Sequence, residues 1–168
     1  MKILAIETSC DETGVAILEH TEGNNVSLIV NALSSQIKIH AQYGGVFPTM
    51  AKRDHAEKMV PLLINALDEA CLLEALNSPL DLDNKLNFLF EKNNDLKKYL
   101  DPFLSFYQKP DIDYIAVTVG PGLEPALWVG IATTRALSMI WNIPVIPINH
   151  MEGHIVTSIF ETTNSRDF

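Results

Sequence analysis

The chain has 168 residues, of which 47% are hydrophobic, and this is enough for one domain with a buried core. Its 21 acidic residues outnumber its 12 lysines and arginines, and the net charge of −9 excludes a protein that holds nucleic acid by charge alone. No signal peptide, membrane-spanning run or disulfide framework is recognisable, so we expect a cytoplasmic protein that makes no membrane contact.

Three short apolar runs at the N-terminus are typical of β-strands. They cover residues 2–8, 14–18 and 26–33, and turn-forming residues join them, including those at 21–25. Consecutive strands with tight connections predict an antiparallel meander.

The first of these turns is rich in carboxylates and hydroxyls. Asp11 and Glu12 follow Glu7 closely, at the end of a strand that should be buried. Such a loop can grip phosphate through backbone N–H groups while its carboxylates hold a cation, or it can be a solvated acidic hairpin turn. The residues alone leave both interpretations open.

A long helix is predicted at residues 49–73, because apolar residues recur there at helical spacing after Pro48. Pro61 lies inside it and should kink the helix or divide it in two. Positive charge concentrates in and before its first turns, at Lys38, Lys52, Arg53 and Lys58, with His40 and His55 adding to it. This is either an ordinary solvated helix face or a surface that binds a polyanion.

Residues 74–112 differ from their surroundings in being rich in asparagine and charge, with prolines at 79, 102 and 110. We interpret them as a helical surface insertion with one or two short helices. The core resumes with a strand at residues 114–119, a helix at 126–141 and a strand at 144–148. Between the first two lies Gly120-Pro121-Gly122, which can bind phosphate at a helix N-terminus or form a plain turn.

The last helix begins with two histidines four residues apart. Asn149 is a good N-cap, and His150 and His154 then lie on one face of the helix, where they can hold one metal ion. Glu152 sits midway, about 200° around the helix from His150, so a zinc-protease signature is excluded. The alternative is a chance pair that faces water.

The order of elements is strand, strand, strand, helix, insertion, strand, helix, strand, helix. It predicts an α/β fold with three antiparallel and then parallel strands in one mixed sheet, and helices on both faces. This is the ribonuclease-H-like half-domain of the actin/sugar-kinase/Hsp70 superfamily. Ligands in such sheets bind beyond the carboxyl ends of the strands, where the acidic turn, the glycine turn and His150 all lie.

Four motifs in this order resemble the tRNA N6-adenosine threonylcarbamoyltransferase family, once described as sialoglycoprotein endopeptidases. They are Ile6-Glu7-Thr8-Ser9-Cys10-Asp11-Glu12-Thr13-Gly14, His40 through Gly44-Gly45 to Pro48 with Arg53 and His55, Gly120-Pro121-Gly122-Leu123, and His150-Met151-Glu152-Gly153-His154. The resemblance covers nearly the whole chain apart from residues 74–112.

The resemblance implies transfer of a threonylcarbamoyl group from threonylcarbamoyl-AMP to N6 of the adenosine beside the anticodon, in tRNAs that read A-starting codons. His150 and His154 would bind one Fe²⁺ or Zn²⁺ ion, which polarises the carbonyl. Asp11 and Glu12 would position the substrates or help to remove a proton. Lys38, Lys52, Arg53 and Lys58 would face tRNA, and the partners would be a paralogous scaffold subunit and a small ATPase.

Some features depart from the family. Thr49 replaces a glutamate, and Glu124-Pro125 replaces small residues after the glycine turn. Family members are about twice as long, and their second half carries an aspartate ligand and the loops that hold the adenylate. We therefore expect a single N-terminal lobe at residues 1–168, without the C-terminal lobe, that alone binds metal weakly and does not turn over.

Two other functions compete with this one. The first is a non-catalytic scaffold paralogue of the same complex, although such partners generally lack the His-Met-Glu-Gly-His element. The second is a lobe of a sugar or acetate kinase, which would leave the histidine pair unexplained.

Overall fold

The protein is described here by a computed structural model that covers residues 1–21, 25–82, 85–91 and 93–164. Its strands form one five-stranded sheet in the order β3-β2-β1-β4-β5. The strands are β1 (Lys2–Glu7), β2 (Glu12–His20), β3 (Val26–Ser35), β4 (Tyr114–Gly120) and β5 (Val145–Asn149). The helices are α1 (Ile37–His40), α2 (Pro48–Glu69), α3 (Asn87–Phe90), α4 (Asn94–Phe106), α5 (Glu124–Trp141) and α6 (His150–Asn164).

The pairing of the strands confirms the predicted mixed sheet. β1, β2 and β3 pair antiparallel, and β4 and β5 run parallel to β1. Only β2 among these five strands is reversed, which is the arrangement of the ribonuclease-H-like fold. The turn predicted at residues 21–25 falls largely on residues 22–24, which lie outside the described ranges.

One face of the sheet carries the core. Alternate residues of the central strands are buried there beneath α2 and α5, as expected for a side-chain period of two. They are Leu4, Ile6, Val15, Ile17, Ile115 and Val117. Each such side chain contributes about 1.5–3 kcal/mol by leaving water, so this layer dominates the stability of the domain.

The opposite face of the sheet is open in the described part of the chain, although we expected helices on both faces. α6 contacts the ends of β4 and β5, yet its Ile155 and Val156 remain 60% and 62% exposed. Leu33 on this face is also 55% exposed. The prediction came from the order of elements, but the exposed apolar side chains show that α6 does not cover this face.

α2 is one continuous helix of 22 residues that begins at Pro48. Pro61 lies within it without dividing it, because its ring is on the exposed side, where the lost hydrogen bond leaves the Glu57 carbonyl open to water. The predicted apolar stripe is buried against the sheet and α5 at Met59, Leu63, Ala66 and Leu67.

Residues 74–112 contain α3 and α4, and their two ends lie together. The Leu76 N–H donates to the Phe106 carbonyl at 2.8 Å, and the Gln108 N–H donates to the Glu74 carbonyl at 2.8 Å. The segment therefore leaves the core and returns to it at one point. It also extends the core over α2 and α5, through Phe90, Leu96, Leu100, Phe103 and Leu104.

Across the described ranges, no helix combines the length and apolar character needed to cross a membrane. Cys10 and Cys71 are both free thiols.

Candidate functional site

The candidate site lies at the carboxyl edge of the sheet. β1 ends at Glu7 and β5 ends at Asn149, and both run parallel to β4 between them. The acidic turn, the glycine turn and the histidine helix consequently meet at one edge, as the order of elements predicted.

Asn149 fixes the start of the histidine helix. Its side-chain oxygen accepts the N–H of Met151 at 2.9 Å and that of Glu152 at 3.3 Å. This is the predicted N-cap, and it satisfies two backbone donors that have no partner within the helix. Because the cap sets the first turn, it also sets the direction in which His150 and His154 project.

The two imidazoles converge. Nε2 of His150 and Nε2 of His154 are 3.1 Å apart, and the rings meet edge to face with centroids 4.5 Å apart. Two nitrogens that each lie about 2.0–2.1 Å from one metal ion must be separated by roughly this distance. The convergence agrees with the four-residue spacing, and the pair fits two ligands of one ion.

A third ligand is not found within the described residues, where no group of three or more His, Cys, Asp or Glu side chains could hold a metal. The role of His150 and His154 as metal ligands therefore stays a prediction.

Glu7 and Ser9 support His150 from the strand side. His150 Nδ1 lies 3.1 Å from the Ser9 hydroxyl and 3.7 Å from the Glu7 carboxylate. That carboxylate also accepts the Thr118 hydroxyl and the Ser9 N–H. A proton on Nδ1, donated toward these oxygens, leaves the Nε2 lone pair for the point shared with His154.

The sequence did not identify this role of Glu7. The available signal was a charged residue at the end of a buried strand next to β4. We placed the functional carboxylates at Asp11 and Glu12 instead, because the family resemblance implied these two positions.

Asp11 and Glu12 lie beside the site at the start of β2, and both are partly exposed. The Asp11 carbonyl accepts the Gln36 N–H at 2.8 Å, and Glu12 faces Ser35 across the β2–β3 ladder. Among the described contacts, the carboxylate that approaches His150 is that of Glu7. The catalytic role of Asp11 and Glu12 stays a prediction.

A buried hydrogen-bond network lies behind the acidic turn. His55 is fully buried, and burial lowers its pKa below the usual value of 6.5. Its Nε2–H donates to the Cys10 carbonyl at 3.2 Å. Its Nδ1 accepts the Thr13 hydroxyl at 2.7 Å and the Gln36 amide at 3.2 Å. Burial thus favours the neutral ring, and its hydrogen bonds fix the backbone of the acidic turn.

The network continues to the loop before α2. His40 Nε2 donates to Gln36 Oε1 at 3.0 Å, and its Nδ1 accepts the Phe47 N–H at 3.4 Å. We counted His40 and His55 with the positive charge of this segment, and that expectation is wrong. Both rings are buried, at 3% and 0% exposed, and both make hydrogen bonds within the fold, so they do not extend the exposed basic surface.

The four basic residues of the segment do not form one stripe. Lys38 is exposed on α1, whereas Lys52, Arg53 and Lys58 lie on α2. At 100° per residue, the last three point in three different directions around the helix. Arg53 lines a small cavity with His40 and Gln36, and Lys58 lies 4.0 Å from Glu57. The assignment of these residues to tRNA stays a prediction.

The glycine turn packs directly against the Ser9 turn. A Cβ at Gly122 would lie 2.8 Å from the Ser9 carbonyl oxygen, which also accepts the Leu123 N–H at 2.7 Å. Glycine is therefore needed there for close approach of two backbones. Glu124 and Pro125 then open α5 with a negative charge and a missing N–H, and both weaken any anion site at that helix start.

The family model described as "TsaD: tRNA N6-adenosine threonylcarbamoyltransferase" matches residues 27–76 and 105–168, which is more than half of the chain. The unmatched stretch between them lies within the asparagine-rich segment that contains α3 and α4.

Several solved structures are similar in fold. YeaZ from Pseudomonas aeruginosa is 17% identical with a TM-score of 0.48, and the match covers 88% of this chain and 43% of that one. RuvC from Thermus thermophilus, in complex with a Holliday junction substrate, is 8% identical with a TM-score of 0.43, and the match covers 90% of this chain and 67% of that one. The chain thus spans less than half the length of YeaZ. On the family match, this chain belongs to the tRNA N6-adenosine threonylcarbamoyltransferase family.

Proposed function

We propose that this chain is the metal-holding lobe of a tRNA N6-adenosine threonylcarbamoyltransferase. The donor is threonylcarbamoyl-AMP, and the acceptor is N6 of the adenosine beside the anticodon in tRNAs that read A-starting codons. The chain works with a paralogous scaffold subunit and a small ATPase. The observation that carries this proposal is the 3.1 Å convergence of the His150 and His154 nitrogens in a chain of this family.

The residues present fit the implied ion. His150 and His154 would hold Fe²⁺ or Zn²⁺, because neutral imidazole suits both metals. When bound, the ion supplies a Lewis acid for the threonylcarbamoyl carbonyl. The hydroxyl of Ser9 and the carboxylate of Glu7 orient His150 so that Nε2 is free to coordinate.

The chain's own carboxylates have a separate task in this reaction. The N6 nitrogen forms a bond to the threonylcarbamoyl carbon, the bond from that carbon to the adenylate phosphate oxygen breaks, and AMP leaves. N6 must also lose a proton. Asp11 and Glu12 lie partly exposed at the same sheet edge, where a carboxylate can accept that proton directly or through water.

The test is single-turnover transfer of labelled threonylcarbamoyl to tRNA by the assembled complex, measured together with its metal content. His150→Ala should lose metal and transfer together, whereas His20→Ala, a histidine at the far end of β2, should keep both.

Two results would contradict the proposal. Full transfer with His150→Ala, combined with loss of activity when the chain is omitted, would assign a scaffold role instead. Release of ADP from ATP with a sugar or acetate as acceptor would assign a kinase lobe.

A further inference from the structure

A second cavity lies away from the histidine site, on the outer side of α5. It has a volume of about 440 Å³, which is within the range of small-molecule sites. Thr8 contacts Ala126 and Gly130 on the inner side of α5. The cavity is instead lined by Trp128, Ala132 and Arg135 of that helix, and its Glu124–Pro125 end adjoins the glycine turn.

Part of the wall of this cavity comes from residues that depart from the family, and the rest from the ranges that the family model matches. Phe88, Leu89 and Glu91 belong to the stretch that the family model leaves unmatched. Glu124 and Pro125 are the residues that replace small ones after the glycine turn. Two departures from the family, one in an unmatched stretch and one after the glycine turn, therefore meet in one cavity.

Asn93 gives the cavity an unused hydrogen-bonding group. The residue is only 5% exposed, and its Oδ1 has no hydrogen-bond partner within the described residues. Its Nδ2 makes only a long contact of 3.5 Å to the Trp128 carbonyl. A buried acceptor that makes no hydrogen bond lowers the stability of the fold by about 1–3 kcal/mol. Because Asn93 lines the cavity, a rotation of its amide presents the oxygen to an N–H of a bound molecule.

The charges and rings of the lining indicate the class of ligand. On α5, Glu124, Trp128 and Arg135 lie within about 40° of one another around the axis, in the order acid, aromatic ring, base. Glu91 and Lys52 add one charge of each sign, so the described charged groups of the lining sum to zero. Trp128 is 44% exposed and Phe88 is 54% exposed, so both rings can contact an apolar group of a ligand between the charged groups.

We propose that this cavity binds a zwitterionic tripeptide with an aromatic or large apolar central side chain. Its ammonium group lies toward Glu124 and its carboxylate toward Arg135, and its side chain packs on Trp128. A peptide N–H donates to Asn93 Oδ1. Glu124 and Arg135 lie about 16–17 Å apart along the axis of α5. Three residues at about 3.5 Å each, with an ion pair of about 3 Å at either end, span that distance.

The probe is the tripeptide Gly-Phe-Gly, added to the 168-residue chain. Trp128 is exposed and Trp141 is 3% exposed, so a shift in tryptophan emission reports on Trp128. We expect saturable binding that weakens about ten-fold when the peptide is acetylated, amidated or N-methylated at phenylalanine, since each change removes one charged or hydrogen-bonded group. Gly-Ala-Gly should also bind at least ten-fold more weakly.

Variants of the chain provide the matching controls. Arg135→Gln, at an exposed position where folding is not at risk, should weaken Gly-Phe-Gly about ten-fold. Lys98→Gln, the same change on α4 outside the cavity, should leave binding unchanged. Trp128→Phe should abolish the fluorescence change while calorimetry still detects binding.

Three results would overturn the proposal. They are the absence of saturation up to about 10 mM peptide, equal binding of Gly-Phe-Gly and its acetylated form, and equal effects of Arg135→Gln and Lys98→Gln.

Discussion

The end of β1 and the start of α6 are joined through a few side chains. Glu7 accepts hydrogen bonds from Thr118 and Ser9 and lies 3.7 Å from His150. This places a negative charge on the Nδ1 side of the imidazole, away from the Nε2 atom that faces His154. The carboxylate therefore orients His150 and increases its basicity, while Nε2 on the other side of the ring stays available for a metal ion.

Glu7→Gln should weaken metal binding by about 10–100-fold, because the amide keeps the shape but removes the charge behind His150. The measurement is Co²⁺ or Zn²⁺ titration of the chain. Glu12→Gln, a matched change at the start of β2, should leave the affinity unaltered. Equal metal affinities of the Glu7→Gln variant and the unmodified chain would show that Glu7 only holds the turn.

Asp11→Asn should keep the metal but lose most transfer in the assembled complex, because it removes charge and basicity with little change of shape. Metal content and single-turnover transfer to tRNA are measured on the same sample. Full activity with full metal would reduce the Asp11 turn to a structural hairpin.

Burial of His55 predicts a pH dependence of stability. Its folded pKa lies below the unfolded value of 6.5, so only the unfolded chain takes up this proton as the pH falls through 6.5. The contribution of neutral His55 is fully present above that pH and is lost below it, by at most about 1.4 kcal/mol per pH unit.

Urea unfolding at several pH values between about 5 and 8 measures this slope. His55→Gln should flatten the dependence below pH 6.5 relative to the unmodified chain. His20→Gln should leave it in place. If both variants show the unmodified slope, other groups account for it.

At the scale of elements, a glycine allows α5 to pack closely against the end of β1. A Cβ at Gly130 would lie 2.6 Å from the Thr8 hydroxyl oxygen, which donates to the Ala126 carbonyl at 2.9 Å and accepts the Gly130 N–H. The helix can therefore approach the strand only with no side chain at this position. Because Thr8 begins the turn that carries Ser9, this packing also fixes the site.

Gly130→Ala should destabilise the fold by about 1–3 kcal/mol, because the added methyl group overlaps Thr8. Gly153→Ala is the matched control. It lies in α6 with no atom within 4 Å of the added Cβ, and alanine favours the helix by up to about 1 kcal/mol. Urea unfolding of both variants tests this, and equal stabilities would show that the helix shifts to accept the methyl group.

At the scale of the whole molecule, the net charge is −9 while the predicted tRNA-facing residues remain few and scattered. Lys52, Arg53 and Lys58 point in different directions from α2, and Lys38 lies on α1. A tRNA can contact them together only if it wraps around the start of α2, or if the partner subunits supply the rest of the positive surface.

Reversing the charges at Lys52, Arg53 and Lys58 in the assembled complex should weaken tRNA binding and flatten its salt dependence, because phosphate contacts act by counterion release. Filter binding at several salt concentrations measures the slope. Lys109→Glu, away from α2, should leave it unchanged. An unaltered slope in the triple variant would assign these residues to solvation.

The sequence by itself determined what depends on neighbours along the chain. The period of two in β1, the stripe on α2, the cap at Asn149 and the converging pair His150 and His154 are all set within a few residues. Backbone geometry fixes such spacings wherever the segment lies. The order of elements then sufficed for the mixed sheet, because connection rules leave few topologies.

Only the tertiary structure decided what depends on residues far apart in sequence. Ser9 meets His150 across 141 positions, and Glu7 lies close to the same ring. His55 becomes neutral because it is buried beneath the acidic turn. The spacing of residues along the sequence does not predict these contacts, since charge and burial depend on what packs around a side chain. The open sheet face and the cavity beside Trp128 follow for the same reason, because each is shaped by elements that the local pattern does not place.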